Sequence, residues 1–221
     1  MSKLKEVSLR LTENLNPIFE EQGFQLKKSE KYHFIRKEEG NAHIFDLSFY
    51  NKSKGILIKP ELRIKNKEIE DIYKANTEIK GRPYKTLGNH LLEIARYIDH
   101  GEETGNTNAG QRWIVQNDEH LEKLISVIPD YLFEIMLPYF DSCSSVSKVD
   151  ELLNKHPTEL SVHHYLFPSR ANVAIIAAKL NNNPNYTDLV DIYDERMKNS
   201  DTLFLDEYNS IKEYNRSVSG L

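Results

Sequence analysis

Residues 31–50, KYHFIRKEEGNAHIFDLSFY, constrain the fold more than any other stretch of this chain, because apolar and polar residues alternate on both sides of a Glu38-Glu39-Gly40-Asn41 turn. A period of two places successive side chains on opposite faces of a strand. The pattern therefore predicts two antiparallel strands, over 31–37 and 42–50, joined by a tight turn. With Glu39-Gly40 as a two-residue loop, Tyr32 opposes Leu47, His33 opposes Asp46, Phe34 opposes Phe45 and Arg36 opposes His43. One face then carries Tyr32, Phe34, Phe45, Leu47 and Phe49, an aromatic surface that must be buried. The other carries His33, Ile35, Lys37, Ile44, Asp46 and Ser48. A slip of one residue would scramble both faces, so the pattern also fixes the register. A third strand is expected over 56–65, ILIKPELRIK, and Pro60, which has no N–H to donate, predicts an edge strand or a bulge there.

Helical periodicity flanks this sheet. Leu4, Val7, Leu11, Leu15, Ile18 and Phe19 predict a helix over 4–22, kinked or divided at Pro17 and stopped at Gly23. Residues 86–99 read as a helix with Thr86 as its N-cap, 100–110 as a mobile polar loop, and QRWIVQ as a short closing strand. From Asp118 onward the pattern is helical, with breaks expected at Pro129 and Pro138. Ser147 and Asp150 have the S-x-x-D spacing of a helix start over about 148–155. Residues 170–180, RANVAIIAAKL, are apolar almost all round, which predicts a central buried helix, and amphipathic helices are expected over 187–198 and 203–216. The fold class that follows is α+β: an N-terminal helix and an antiparallel sheet of three to five strands over 1–116, then an all-helical part over 117–221, packed as one unit.

Charge divides along the same line. Residues 1–115 hold 20 Lys and Arg against 17 Asp and Glu, whereas 116–221 hold 9 against 17, which concentrates the chain's net charge of −5 in the helical part. An acidic surface repels nucleic acid and attracts basic partners. The lone cysteine, Cys143, in DSCSSVS, excludes an intrachain disulfide and a cysteine-rich metal site, and reads as an incidental loop thiol. No apolar run reaches the roughly 20 residues of a membrane span, and the charged N-terminus has no signal-peptide core, so a cytoplasmic protein is expected.

No catalytic constellation is legible. There is no G-x-S-x-G elbow and no phosphate-binding glycine loop. His163 and His164 are adjacent and point apart on a strand or a helix, so they do not form a metal site. SVHHYLFPSR, residues 161–170, reads as the approach to the buried helix, with Phe167 or Ser169 as its cap and Tyr165 and Arg170 as possible contact residues. His33 opposite Asp46 reads as a surface ion pair. Asp46 with Glu61 and Arg63 has the acidic-strand pattern of metal-dependent nucleases, but arginine stands where those sites use lysine. Lys52, Lys54, Lys59, Arg63, Lys65 and Lys67 form a basic cluster without the exposed aromatics that stack on bases.

The order of elements, with Gly23-Phe24, Phe34 and Arg36, Trp113 and the run ending Leu137-Pro138-Tyr139-Phe140, resembles a bacterial family catalogued as a domain of unknown function (number 4304), over about residues 4–155. The resemblance implies a companion of toxin and immunity loci and brings no catalytic residues with it. The expectation is thus a non-catalytic immunity-type protein that binds a basic toxin domain, without cofactor or metal. Its expected partner-binding residues are Asp188, Asp191, Tyr193, Asp194, Glu195, Asp206, Glu207 and Tyr208, with Glu102 and Glu103. The alternative is a metal-dependent nuclease-like or nucleic-acid-binding protein that uses the sheet face around His33, Asp46, Glu61 and Arg63.

Overall fold

A computed structural model describes residues 2–28, 32–77, 85–100, 113–159, 161–163 and 167–217. Helix α1 (Lys3–Glu21) starts at Ser2, whose Oγ accepts from the Lys5 N–H, and buries Val7, Leu11, Leu15 and Phe19 along one stripe. Pro17 lies inside it without ending it; Gly23, at φ +82°, turns the chain out of the helix as expected. Strands β1 (Gln25–Lys28), β2 (Tyr32–Glu38), β3 (Asn41–Lys52) and β4 (Gly55–Asn66) then form an antiparallel sheet, with β5 (Leu87–His90) beyond β4 and β6 (Trp113–Val115) also on β4. The hairpin has the expected register, with Tyr32 opposite Leu47 and Phe34 opposite Phe45. Its aromatic face packs on α1: the Phe19 ring lies 4.4 Å from Phe34 and 5.5 Å from Phe45, with Phe24 at 5.5 Å. Each such ring, wholly buried, contributes roughly 1.5–3 kcal/mol.

Strand β4 corrects the reading of Pro60. The strand is central rather than an edge: β3 pairs along its whole length, while on the other side β6 takes Ile56–Ile58 and β5 takes Glu61–Ile64. Pro60 lies in the gap between these two short strands, so a residue without an N–H is tolerated in the middle of the sheet. Residues 86–90 are also corrected. Thr86 caps no helix; its hydroxyl accepts from the Asn66 N–H at 2.9 Å and donates to Glu70 at 3.0 Å, and β5 intervenes before α3 (Leu91–His100). Between β4 and β5 stands α2 (Lys67–Ala75), capped by the Asn66 side chain, which accepts from the Ile69 N–H. The loop expected over 100–110 falls, from residue 101 on, outside the described residues.

In the helical part the two prolines do not break the chain as expected. Pro129 lies within α4 (Asp118–Tyr131), and a π turn over Leu132–Met136 joins α4 directly to α5 (Leu137–Cys143). The wide turn bonds the Leu137 N–H to the Leu132 carbonyl just before Pro138, which has no N–H to return to the preceding turn. Cys143 is buried at the end of α5 rather than set in a loop, and burial pushes its thiol pKa up. Ser145, not Ser147, caps α6 (Val146–Asn154), accepting from the Lys148 N–H at 3.1 Å. Helix α7 (Ser169–Leu180) is the central buried helix expected, although neither Phe167 nor Ser169 caps it with a side chain. Helices α8 (Tyr186–Met197) and α9 (Thr202–Ser217) pack against it. One cluster of buried side chains runs from Val7 to Ile211. The fold is α+β, as the hydropathy pattern predicts.

Candidate functional site

Helix α8 buries Leu189, Val190, Tyr193 and Met197, so the same 3.6-residue period turns Asp188, Asp191 and Glu195 outward along one line. Asp188 and Asp191 make no ion pair among the described residues, while Glu195 is paired with Lys198 one turn on. Asp194 is half-buried and accepts from Lys212 of α9 at 2.7 Å, which ties the two helices together. On α9 the outward stripe is Leu203, Asp206, Glu213 and Tyr214; Leu203 is 50% exposed and Tyr214 37%. Asp206 and Leu203 also edge a groove of about 260 Å³ with Ala75, Asn76 and Ser210.

Three residues expected on this surface are not on it. Tyr193 and Tyr208 are wholly buried: the Tyr193 hydroxyl donates to the Leu153 carbonyl at 3.1 Å, and that of Tyr208 to the Val190 carbonyl at 3.2 Å. Burial pushes the Tyr193 pKa up to about 12 and raises that of Tyr208 further, so both phenols stay neutral donors. Glu207 is buried too, accepting from Tyr73, Thr77 and Asn172 where α2, α7 and α9 meet. Glu102 and Glu103 lie outside the described residues. Of the residues proposed for contact from SVHHYLFPSR, Arg170 is buried and donates to the Leu153 carbonyl at 2.7 Å, and Tyr165, with His164, lies outside the described residues. The aromatic residue that this face exposes is Tyr214.

The sheet face opposite α1 places His33, Asp46, Glu61 and His90 in one row across four strands. Asp46 is 1% exposed, so its pairing with His33 is buried rather than on the surface, and its second oxygen is ion-paired with Arg63. Glu61 accepts from Lys85 at 2.7 Å; Lys85 and Arg63 together hold its carboxyl below the usual range against the opposing effect of burial. Both carboxylates are thus neutralised by fixed cations. A divalent ion needs such oxygens open, and among the described residues no group of three or more His, Cys, Asp or Glu side chains could hold a metal.

On the other face a serine and a histidine do meet. His43 Nε2 lies 2.7 Å from Ser144 Oγ, with the Phe140 ring stacked on the imidazole at 4.8 Å. Arg36 reaches the other ring nitrogen, Nδ1, at 3.1 Å, and a guanidinium can only donate. Nδ1 must therefore be the acceptor, the proton sits on Nε2, and the imidazole donates to Ser144, whose own hydroxyl donates to the Phe140 carbonyl. A base that already carries its proton toward the serine does not activate it. The pair is a latch, reinforced by the Arg36–Asp141 bond at 2.6 Å and by Asn66 donating to the Ser144 carbonyl.

No known protein family, curated protein or solved structure matches this chain. No helix among the described residues is long and apolar enough to cross a membrane.

The remaining described histidine of interest, His163, is wholly buried, edge-on to Tyr97 at 4.3 Å and stacked beside Tyr139. Burial pushes its pKa down to about 3. In the unfolded chain it returns to about 6.5, so between pH 6.5 and 3 the unfolded state binds one more proton. Stability is then lost as pH falls through that window, at up to ~1.4 kcal/mol per pH unit. Urea unfolding at pH 7.5 and 5.5 should show wild type losing about 1 kcal/mol more than His163→Gln over the same interval. Equal losses would show that His163 does not carry the dependence.

Proposed function

We propose that this protein binds a basic protein partner through the outer faces of α8 and α9, without catalysis, as an immunity-type protein that occludes a toxin domain in the bacterial cytoplasm. The observation that carries the reading is the exposed line Asp188, Asp191 and Glu195 on α8, with Asp206, Glu213, Leu203 and Tyr214 exposed on α9. Exposed acids steer a basic partner to the surface and orient it, and an exposed leucine and an exposed tyrosine, near opposite ends of α9, supply apolar area to a contact. The neutralised carboxylates on the sheet face and the tautomer of His43, with its proton on the nitrogen that faces Ser144, argue for the same reading, since each removes a route to chemistry. A buried thiol in Cys143 suits a reducing compartment.

The test is co-purification from the native host at low and at high salt. Wild type is expected to retain a basic protein at low salt and lose it at high salt, because exposed charges are screened within ~8–10 Å at physiological ionic strength and above. Asp188→Lys/Asp191→Lys/Glu195→Lys should retain none at either salt. A partner held equally by the triple variant would place binding elsewhere, and no partner at any salt would remove the proposal.

A further inference from the structure

Strand β6 leaves one edge of the sheet open. Lys52 and Gly55 flank a two-residue turn and exchange both of their backbone bonds, so Ile56 and Ile58 turn their N–H and C=O groups away from β3. Those groups meet Val115 and Trp113 of β6. Ile114, between them, therefore turns its own N–H and C=O outward, where neither has a partner among the described residues. Proteins usually blunt such an edge with a charged side chain or a proline. The three residues of β6 are all apolar.

Beside that edge runs a groove of about 400 Å³, between β6 and α4. Its walls are mostly apolar: Trp113 and Ile114 from the strand, with Leu124, Val127 and Tyr131 from the helix. Ile114 is 40% exposed. Helix α4 runs antiparallel to β6, which sorts the groove by chemistry. At one end the Trp113 ring lies 6.1 Å from that of Tyr131. At the other the Gln116 N–H, one residue past β6, donates to His120 Nδ1 at 3.4 Å. That bond leaves the proton of the neutral imidazole on Nε2, as a donor. Lys123, nearly one turn further along, lines the groove too and makes no ion pair among the described residues, whereas the neighbouring Asp118 and Glu122 are both held by Arg10. Glu119 does not line the groove. Two donors thus stand at the Gln116 end and two aromatic rings at the Trp113 end.

An extended chain matches both the edge and the groove. A residue laid opposite Ile114 can exchange two backbone bonds with it, and the residues on either side of it then point toward α4, as Trp113 does. In a chain running antiparallel to β6, as β4 does, the earlier of those two residues lies at the Gln116 end and the later at the Trp113 end. We propose that β6 accepts an extended segment of a partner protein as an added antiparallel strand, in the pattern acidic, any, aromatic. The carboxylate meets Lys123 and His120, the middle residue pairs with Ile114, and the aromatic ring packs on Trp113, Val127 and Tyr131. The surface is separate from the acidic face of α8 and α9, and either proposal stands if the other fails.

The probe is an acetylated, amidated pentapeptide, Ser-Glu-Thr-Phe-Ser, titrated into the full chain and followed by the Ile114 amide shift and by Trp113 emission. Saturable binding that moves both is expected. Lysine in place of the glutamate should weaken it at least tenfold. N-methylation of the threonine should do the same, because it deletes the bond to the Ile114 carbonyl and alters no side chain. Lys123→Glu, at an exposed position, should reverse the preference and take the lysine peptide more tightly than the glutamate one. An N-methyl peptide that binds as tightly as its parent would reduce the groove to nonspecific apolar contact, and a lysine peptide that binds wild type as tightly would remove the charge match. Either result, an unchanged preference in folded Lys123→Glu, or no binding by wild type overturns the proposal.

Discussion

Gly88→Ala is expected to destabilise the protein by about 3 kcal/mol or more, read as a fall in the urea midpoint with far-UV ellipticity retained below it. Gly88 sits in β5 at φ +151°, a conformation that residues with a Cβ rarely adopt. A Cβ there would run into the Leu62 carbonyl oxygen of β4 and lie 3.1 Å from the Arg63 Cα, so the clash is with backbone that cannot rotate away. The same residue donates its N–H to the His163 carbonyl, and the Asn89 side chain donates to the Val162 carbonyl. One methyl group therefore pushes apart two attachments, of β5 to β4 and of β5 to the segment leading toward α7. Gly40→Ala is the control: its φ is +77°, but nothing lies within 4 Å of the added carbon, so only the backbone strain of about 1 kcal/mol remains. Similar losses in the two variants would show that the close approach to β4 is not what matters.

Asp150→Ala should cost about 3 kcal/mol, measured the same way. The S-x-x-D spacing suggested that Asp150 helps to start α6. Instead its carboxylate is buried and collects the side-chain amides of Asn154 at 2.6 Å, Asn181 at 2.7 Å and Asn183 at 2.9 and 3.1 Å. Two of those asparagines belong to the link between α7 and α8, where Asn182 takes a left-handed φ of +51°. The carboxylate thus holds a turn that has little apolar surface to hold itself. Asp150→Asn keeps the shape but turns an amide toward donors, so it should lose less than the alanine variant and still clearly more than a surface substitution. A loss below about 0.5 kcal/mol for alanine would mean that the turn is fixed by its own backbone bonds.

What could be read from the chain was what depends on neighbours in sequence. The hairpin register followed from alternation alone, since any slip would expose Phe34 and Phe45. The central α7 followed from a run with no polar face. The errors arose where the decisive partner lies far along the chain. Residues 87–90 carry a helical stripe, yet Gly88 and Asn89 are claimed by β4 on one side and by residues 162–163 on the other. Pro60 looked like an edge because the sequence does not show that its outer partners are two separate short strands. Tyr193 and Tyr208 were assigned to the surface because their acidic neighbours are there, but the helical period that exposes Asp191 and Glu195 turns Tyr193 inward. Helix α2 was missed although Asn66 followed by Ile69, Ile72 and Tyr73 is a cap with an apolar stripe.

Strand β6 adds a consequence of another kind. It hangs from β4 by three residue pairs, and its Trp113, the chain's single tryptophan, faces Tyr131 of α4 at 6.1 Å between ring centres. Indole emission therefore originates from one spot, the junction between the sheet and the helical part. Excitation absorbed by Tyr131 drains to the same ring, so opening of that junction is expected to raise tyrosine emission. The protein carries its own optical gauge of whether its two parts separate before either one melts.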